Sequence, residues 1–303
     1  MTQRFLVMGD HHGDMVSLRR VLADTEGETF DYAVHVGDFT NAVRKDRQVA
    51  AEQLREVEPL LEAIADRTRH GLVWVYGNRD YFGDLPYDLD VGTRIPDDGC
   101  VTVGGQRFTN SPAAVESDVI LVTHMETWSL LDHFEGRAHF CGNTHIGRYR
   151  NRRLNSAFLQ YTYRETGEQT YGGYFVVEVG ATPRFDVEVR PVGALERKHC
   201  EVHAERGVQF RPPERDCMYC ADERRLLREM AASAFYGLTN GTERDAVAAD
   251  DLVDYAVGLW DDPPSGFESD FRDYLAAVSE DRYAPLARTD RGRLRVADES
   301  YAY

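Results

Sequence analysis

A chain of 303 residues with 42% hydrophobic content is long enough for one large domain and a smaller one, and no apolar run approaches the roughly 18 residues a membrane-spanning helix needs. Asp and Glu number 52 against 35 Lys and Arg, a formal net charge of -17, and Lys45 and Lys198 are the only lysines. This balance resembles a halophilic protein of a high-salt cytoplasm, where acidity is a general solubility device, so it says little about the charge of any one partner. No basic segment leads into a long apolar core near Met1, so a cytoplasmic location is expected, where five cysteines argue for thiols or metal sites before disulfides.

Three short apolar runs, Arg4 to Met8, Tyr32 to Val36 and Leu72 to Tyr76, are β-branched or aromatic and each runs into a Gly-containing polar turn, so they read as buried strands. Between them the spacing predicts helices over Met15 to Ala23, with Asp14 as N-cap, and over Gln48 to Arg69. In the second, Val49, Val57, Leu60, Leu61 and Ile64 share a face, and Pro59 is expected to kink or divide it. Strand, helix, strand, helix, strand is the pattern of a parallel sheet, which places ligands at strand C-terminal ends.

From Gly99 the chain turns strand-rich, with Val101 to Val103, Arg107 to Thr109, Val119 to Val122, Leu154 to Tyr163, Gly173 to Val179 and Phe185 to Val189, which suits a second sheet packed on the first. A Cys/His stretch follows Pro191. Glu223 to Phe235, Asp250 to Trp260 and Phe267 to Val278 then read as helices, the last with Phe267, Phe271, Tyr274, Leu275 and Val278 on one stripe. The expected organisation is a catalytic-type α/β domain over residues 1–190, a Cys/His segment over 191–221 and a small helical C-terminal domain over 222–303, with a loose tail near Tyr301 to Tyr303.

Gly9-Asp10-His11-His12-Gly13-Asp14 stands directly after the first strand, Gly37-Asp38 after the second and Gly77-Asn78-Arg79-Asp80 after the third. Val122-Thr123-His124 closes the strand at Val119, and Gly142-Asn143-Thr144-His145 sits on a glycine-flanked loop. One Gly-Asp is a common turn dipeptide, whereas five ligand-bearing turns in order are specific. Two divalent cations about 3.5 to 4 Å apart clamp the attacking and leaving oxygens of an in-line phosphoryl displacement and turn a bridging water into hydroxide near neutral pH. A carboxylate such as Asp38 is needed between them. Mixed oxygen and imidazole donors suit Mn, Fe, Zn or Ni over Ca, with manganese the first choice.

The ordered series resembles the calcineurin-like metallophosphoesterase superfamily, with its Asp-x-His, Gly-Asp, Gly-Asn-x-Asp, lone His and Gly-His-x-His, over about residues 4 to 190. The resemblance implies an α/β sandwich of two mixed β-sheets flanked by helices. It also implies that Asp10, His12, Asp38 and His145 hold a first metal, while Asp38 bridges to a second held by Asn78 and His124. Asn143 stands where the family's second metal usually receives a histidine; an amide oxygen is a poorer donor, so a weaker second site is expected, with Asn143 either ligating or shaping the loop. Arg79 stands where many of the family's phosphatases carry a histidine that helps protonate the leaving group. Arginine cannot be a general acid, but its planar fork of donors suits phosphate oxygens; the alternative is a salt bridge to Asp80. The resemblance therefore favours diester or activated-ester hydrolysis over general monoester hydrolysis, with Asp38, Arg79 and His124 as the expected catalytic residues.

Each ligand also has a plainer reading. Asn78 could be a turn residue needed for a left-handed conformation, and His124 a satisfied core histidine. His11, His35, His70, His133 and His139 match no ligand position; His35 is expected to be packed within its strand, and His70 to close a helix, where an imidazole favours the C-terminal dipole.

Cys200-Glu-Val-His203 and Cys217-Met-Tyr-Cys220 have the two-residue spacing of a zinc knuckle, expected to form a closed structural zinc site, with His199 as the alternative fourth ligand. Cys100 and Cys141 are left over. Arg206, Arg211 and Arg215 would favour nucleic acid, but Glu201, Glu205, Glu214 and Asp216 cancel them. The expected partner is thus a small phosphate ester or nucleotide, and no membrane. Two other functions stay open: a protein-binding scaffold on the same fold, which a missing ligand at position 143 would suit, and a nuclease, for which the chain offers no basic groove.

Overall fold

The structure, a computed structural model, describes residues 2–42, 47–80, 87–125, 134–156, 159, 171–180, 184–198, 200–211, 217–261, 263, 265–280 and 284–297. His133, His199, Arg215, the Tyr301 to Tyr303 tail and most of the strand expected over Leu154 to Tyr163 lie outside these residues. The chain divides into two compact units, Met1–Arg215 and Asp216–Tyr303.

In the first unit, strands β1 (Gln3–Met8), β2 (Tyr32–His35), β3 (Leu72–Trp74) and β4 (Thr93–Arg94) run parallel to one another. Strands β5 (Cys100–Val103), β6 (Gln106–Thr109), β7 (Val119–Val122), β8 (Ala138–Cys141), β9 (Gly147–Arg150) and β10 (Arg153–Asn155) build the second sheet. The chain returns to the first sheet with β11 (Gly173–Val179) and β12 (Phe185–Pro191), both antiparallel additions, and to the second with β13 (Glu196–Lys198) and β14 (Val208–Arg211). Both sheets are mixed: a six-stranded one in the order β12-β11-β1-β2-β3-β4 and an eight-stranded one in the order β13-β14-β9-β10-β8-β7-β6-β5.

The central strands of the first sheet, β1, β2, β3 and β11, are buried on both faces, which is why they are largely apolar runs, whereas the edge strand β12 exposes Asp186 and Glu188. Phe5 and Val7 point into the core between the sheets with Val34, Ile120, Phe140 and Phe175, while Leu6 and Met8 point to the opposite face against Leu54, Val57, Leu61 and Ile64 of a helix. Helix α1 (Met15–Asp24) begins where expected. The Asp14 carboxylate accepts the backbone N–H of Val16 at 3.0 Å and of Ser17 at 3.2 Å, satisfying two of the four orphan donors of the first turn. Of the kink or division expected at Pro59, the division does not occur, because helix α2 (Arg47–Ala65) runs through it. Pro59 and Arg55, whose carbonyl loses its partner, are both exposed, so water can replace the lost bond while the buried face anchors both halves. The helix also ends at Ala65, so His70 closes no helix and instead lies against the Tyr32 ring, with centroids 4.9 Å apart.

In the second unit, α3 (Met218–Thr239), α4 (Ala249–Gly258) and α5 (Phe267–Ala276) pack with a hairpin of β15 (Leu286–Arg288) and β16 (Leu294–Val296). The stripe foreseen on α5 is buried throughout: Phe267, Phe271, Tyr274, Leu275 and Val278 join Ala231, Phe235, Leu252, Leu286 and Leu294 in one core. Burying a side chain such as Phe271 contributes about 2 to 3 kcal/mol.

Candidate metal centre

The turns that leave the strand ends are stitched to one another. Asp10 N donates to Gly37 O at 2.9 Å, His12 N to Asp38 O at 3.0 Å and Gly13 N to Phe39 O at 2.8 Å, so the loops after β1 and β2 form one surface. Arg79 N donates to Asp38 Oδ1 at 2.7 Å and Asn143 N to Asp10 Oδ2 at 2.9 Å, which brings in the loops after β3 and β8. Gly142 N donates to His124 O at 2.9 Å. The glycines are there for close approach: a Cβ on Gly77 would stand 2.2 Å from Asp38 Oδ1, and one on Gly142 would stand 2.8 Å from Asp10 Oδ1.

Five of the expected ligands take the left-handed backbone: Asp10 at φ 56°, His12 at 47°, Asp38 at 55°, Asn143 at 69° and His145 at 54°. For histidine and aspartate this costs of order 1 kcal/mol or more each and is typical of functional sites, where surrounding hydrogen bonds over-determine the conformation. Asn78 lies in the turn over residues 78–80 but is not among the left-handed residues, so a left-handed conformation is not what the turn needs it for.

One donor atom from each of Asp10, His12, Asp38 and His145 lies within 4.8 Å of the other three. His12 Nδ1 is 3.1 Å from Thr40 O, which assigns the ring proton to that nitrogen and turns the Nε2 lone pair inward, 3.2 Å from His145 Nε2 and 3.5 Å from Asp38 Oδ2. His124 repeats the device. Its Nδ1 is 2.9 Å from Val36 O, so in the neutral ring Nε2 presents a lone pair 2.7 Å from Asn78 Oδ1 and 3.5 Å from Asp38 Oδ2.

The electrostatics point the same way. Burial first, then the charge of Asp38, push the Asp10 carboxyl well above the usual range, and burial likewise raises Asp38. Burial, with the neighbouring imidazoles of His145 and His11, lowers His12 to about 3, and His145 is lowered too. Buried Asp10 Oδ1 has no hydrogen-bond partner among the described residues. Two buried carboxylates, imidazole nitrogens turned inward and an orphaned carboxylate oxygen make a donor set that a divalent cation satisfies, so these residues fit the metals of such a site. The site is open on one side, since Asn78 is exposed and the His145 side chain is 37% exposed.

Arg79 is pinned through its backbone, donating to Asp38 and accepting from Thr40 Oγ1 at 2.8 Å, and its guanidinium makes no ion pair among the described residues. The salt bridge to Asp80 does not form. Asp80 is fully buried and accepts the N–H of Thr40 at 2.8 Å and of Gly77 at 2.9 Å, buckling the loops after β2 and β3. Burial and the charge of Asp38 raise its carboxyl to about 7. Sequence reasoning passed over Asp80 as a functional residue, although it closes the Gly-Asn-x-Asp turn. His35 is packed as expected, stacked on Phe39 with centroids 3.9 Å apart, and its Nε2 lies 3.0 Å from His11 Nδ1.

Elsewhere, in the first unit Cys200 Sγ lies 3.5 Å from His203 Nδ1, and in the second Cys217 and Cys220 stand at the start of α3. Cys141 is buried, its thiol pushed up to about 12 by burial, and Cys100 is exposed.

No curated protein matched the chain in sequence. Among solved structures, a predicted phosphoesterase from Streptococcus pneumoniae is similar at 19% identity with a TM-score of 0.35, covering 62% of this chain and 89% of that one. An archaeal phosphodiesterase is similar at 16% identity and a TM-score of 0.37, over 62% and 99% of the two chains. A Pseudomonas putida nuclease is similar at 14% identity and 0.33, over 57% and 84%. The model of the calcineurin-like phosphoesterase family matches residues 3–161, just over half of the chain, and the chain belongs to that metal-dependent family.

Proposed function

We propose that the chain hydrolyses phosphodiesters, or activated phosphate esters, at this centre. The observation that carries the reading is the position of Asp38 Oδ2, 3.5 Å from His12 Nε2 and 3.5 Å from His124 Nε2. One carboxylate oxygen thus stands near both His12, grouped with Asp10 and His145, and His124, whose Nε2 is 2.7 Å from Asn78 Oδ1, and these are read as two donor sets, with Asn143 proposed to complete the second. Two divalent cations, when bound, supply Lewis-acid charge at phosphoryl oxygens and a water acidified for attack. Manganese is the first choice and iron, zinc or nickel the alternatives.

The chain's own residues do the rest. Asp38 holds the two donor sets together, and the Nδ1 protons on Thr40 O and Val36 O keep both imidazoles aimed. Arg79, half-buried beside Asp38 and without an ion pair among the described residues, orients a phosphate through its planar donors but has no proton to give a leaving group. That combination suits a diester or an ester with a good leaving group. A small phosphate ester or nucleotide is the proposed substrate, and Cys200, His203, Cys217 and Cys220 are proposed to hold one structural zinc. The acidic, lysine-poor composition supports work in a high-salt cytoplasm.

With manganese at high salt, turnover of bis-p-nitrophenyl phosphate is expected to exceed that of p-nitrophenyl phosphate, and Arg79→Ala is expected to raise KM. Metal analysis is expected to find zinc near one equivalent plus manganese or iron. Zinc alone with no turnover would favour the protein-binding scaffold; cleavage of single strands with a steep salt dependence would favour a nuclease.

A further inference from the structure

Behind His124 lies a second set of buried polar groups that the proposed chemistry does not use. Arg153 Nε donates to His139 Nδ1 at 3.3 Å, His139 Nε2 is 2.9 Å from Thr123 Oγ1, and Thr123 Oγ1 donates to Met125 O at 2.5 Å. Arg153 and Thr123 are each 7% exposed and His139 is wholly buried.

The direction of every bond in this chain is determined by its two ends. A guanidinium Nε–H can only donate, so His139 Nδ1 must accept and the ring proton must sit on Nε2. A carbonyl oxygen can only accept, so the single Thr123 proton goes to Met125 O, and the Thr123 oxygen takes the proton of His139. The other tautomer of His139 would set N–H against N–H at Arg153 and draw the Thr123 proton away from Met125. The two residues gripped, Thr123 and Met125, are the neighbours of His124 on either side. Backbone bonds hold the same turn, Thr123 N to Phe140 O at 3.0 Å and Gly142 N to His124 O at 2.9 Å, but neither reaches Met125.

We propose that Arg153, His139 and Thr123 form a one-way hydrogen-bond relay that positions His124 as a ligand, so that the second cation's affinity is set from the far side of the second sheet. The inference rests on the reading of His124 as a ligand and names positioning residues, none of which touches substrate. Thr123→Val removes the hydroxyl at nearly constant shape, and His139→Leu removes the middle link. Thr123→Ser keeps the hydroxyl, and His139→Gln keeps one acceptor for Arg153 and one donor for Thr123.

Two readouts test it without activity. In the metal-free wild type, long-range proton–nitrogen correlation spectra of the imidazoles should find His139 protonated on Nε2; protonation on Nδ1 overturns the relay with no variant needed. In manganese titrations followed by electron paramagnetic resonance, Thr123→Val and His139→Leu should weaken the second cation about tenfold or more and leave the first within about threefold, while Thr123→Ser and His139→Gln restore wild-type binding. Should His139→Leu fail to fold, Thr123→Val carries the comparison. Wild-type affinities in the folded Val and Leu variants overturn the relay and leave the two-cation reading standing; a wild type that takes up no second cation overturns both.

Discussion

Replacing Asp80 with alanine should destabilise the metal-free protein by an amount that depends on pH. The carboxyl accepts two buried backbone N–H groups, from Thr40 and Gly77, and each orphaned donor costs about 1 to 3 kcal/mol, or about 2 to 6 kcal/mol together. Against this stands the cost of the buried charge. Its folded pKa of about 7 lies above the ordinary 3.8, so between those values the folded state holds a proton that the unfolded state has released. The carboxyl's contribution is therefore fully present below about pH 4 and is lost at about 1.4 kcal/mol per unit as pH rises towards 7. Asp80→Ala should cost its full amount below about pH 4 and progressively less towards pH 7. Urea unfolding of EDTA-treated wild type and variant, followed by circular dichroism at half-unit steps, measures the difference. A difference that does not vary with pH, or a variant as stable as wild type at pH 4, would refute the reasoning.

His139 should work in the opposite sense. Burial lowers it to about 3, so the unfolded chain takes up a proton below 6.5 that the folded protein refuses, and stability present above 6.5 is lost as pH falls. His139→Gln should spare about 2 kcal/mol of the loss between pH 6.5 and 5, read from the same titration; an unchanged acid limb would count against it. Asp14→Ala, which uncaps α1, should cost about 1 to 2 kcal/mol in thermal unfolding, and no change would mean the cap is redundant. Asn143→His should tighten the second manganese about tenfold by calorimetry, and an unchanged affinity would mean that position 143 only shapes its loop.

Strands β1 to β3 were legible because burial on both faces makes each a largely apolar run, and the turns after them were legible because each carries Gly and a ligand-type residue. The helix stripe on α5 was equally plain. β8, β9 and β14 were not, because each puts a buried polar residue on one face: His139, Arg148 and Gln209 are all under 6% exposed, where apolar periodicity expects solvent. That Pro59 would not divide α2 was not legible, because a proline's effect depends on which face it occupies. At the site, residue types announced Asp10, His12, Asp38 and His145, but not the left-handed backbone they share. Asp80 and the Arg153–His139–Thr123 set escaped because their roles lie in what they hold, which only the folded loops reveal.

The most direct test of a carboxylate shared between two cations is manganese-dependent hydrolysis of bis-p-nitrophenyl phosphate by wild type and Asp38→Asn, assayed at high salt with bound metal counted in both. Asparagine keeps the left-handed backbone and an acceptor for Arg79 N while removing the charge. The wild type is predicted to bind two cations and turn over, and the variant to lose the second cation and nearly all turnover. A wild type that binds two cations and hydrolyses nothing, or an Asp38→Asn variant with undiminished rate, would contradict the account.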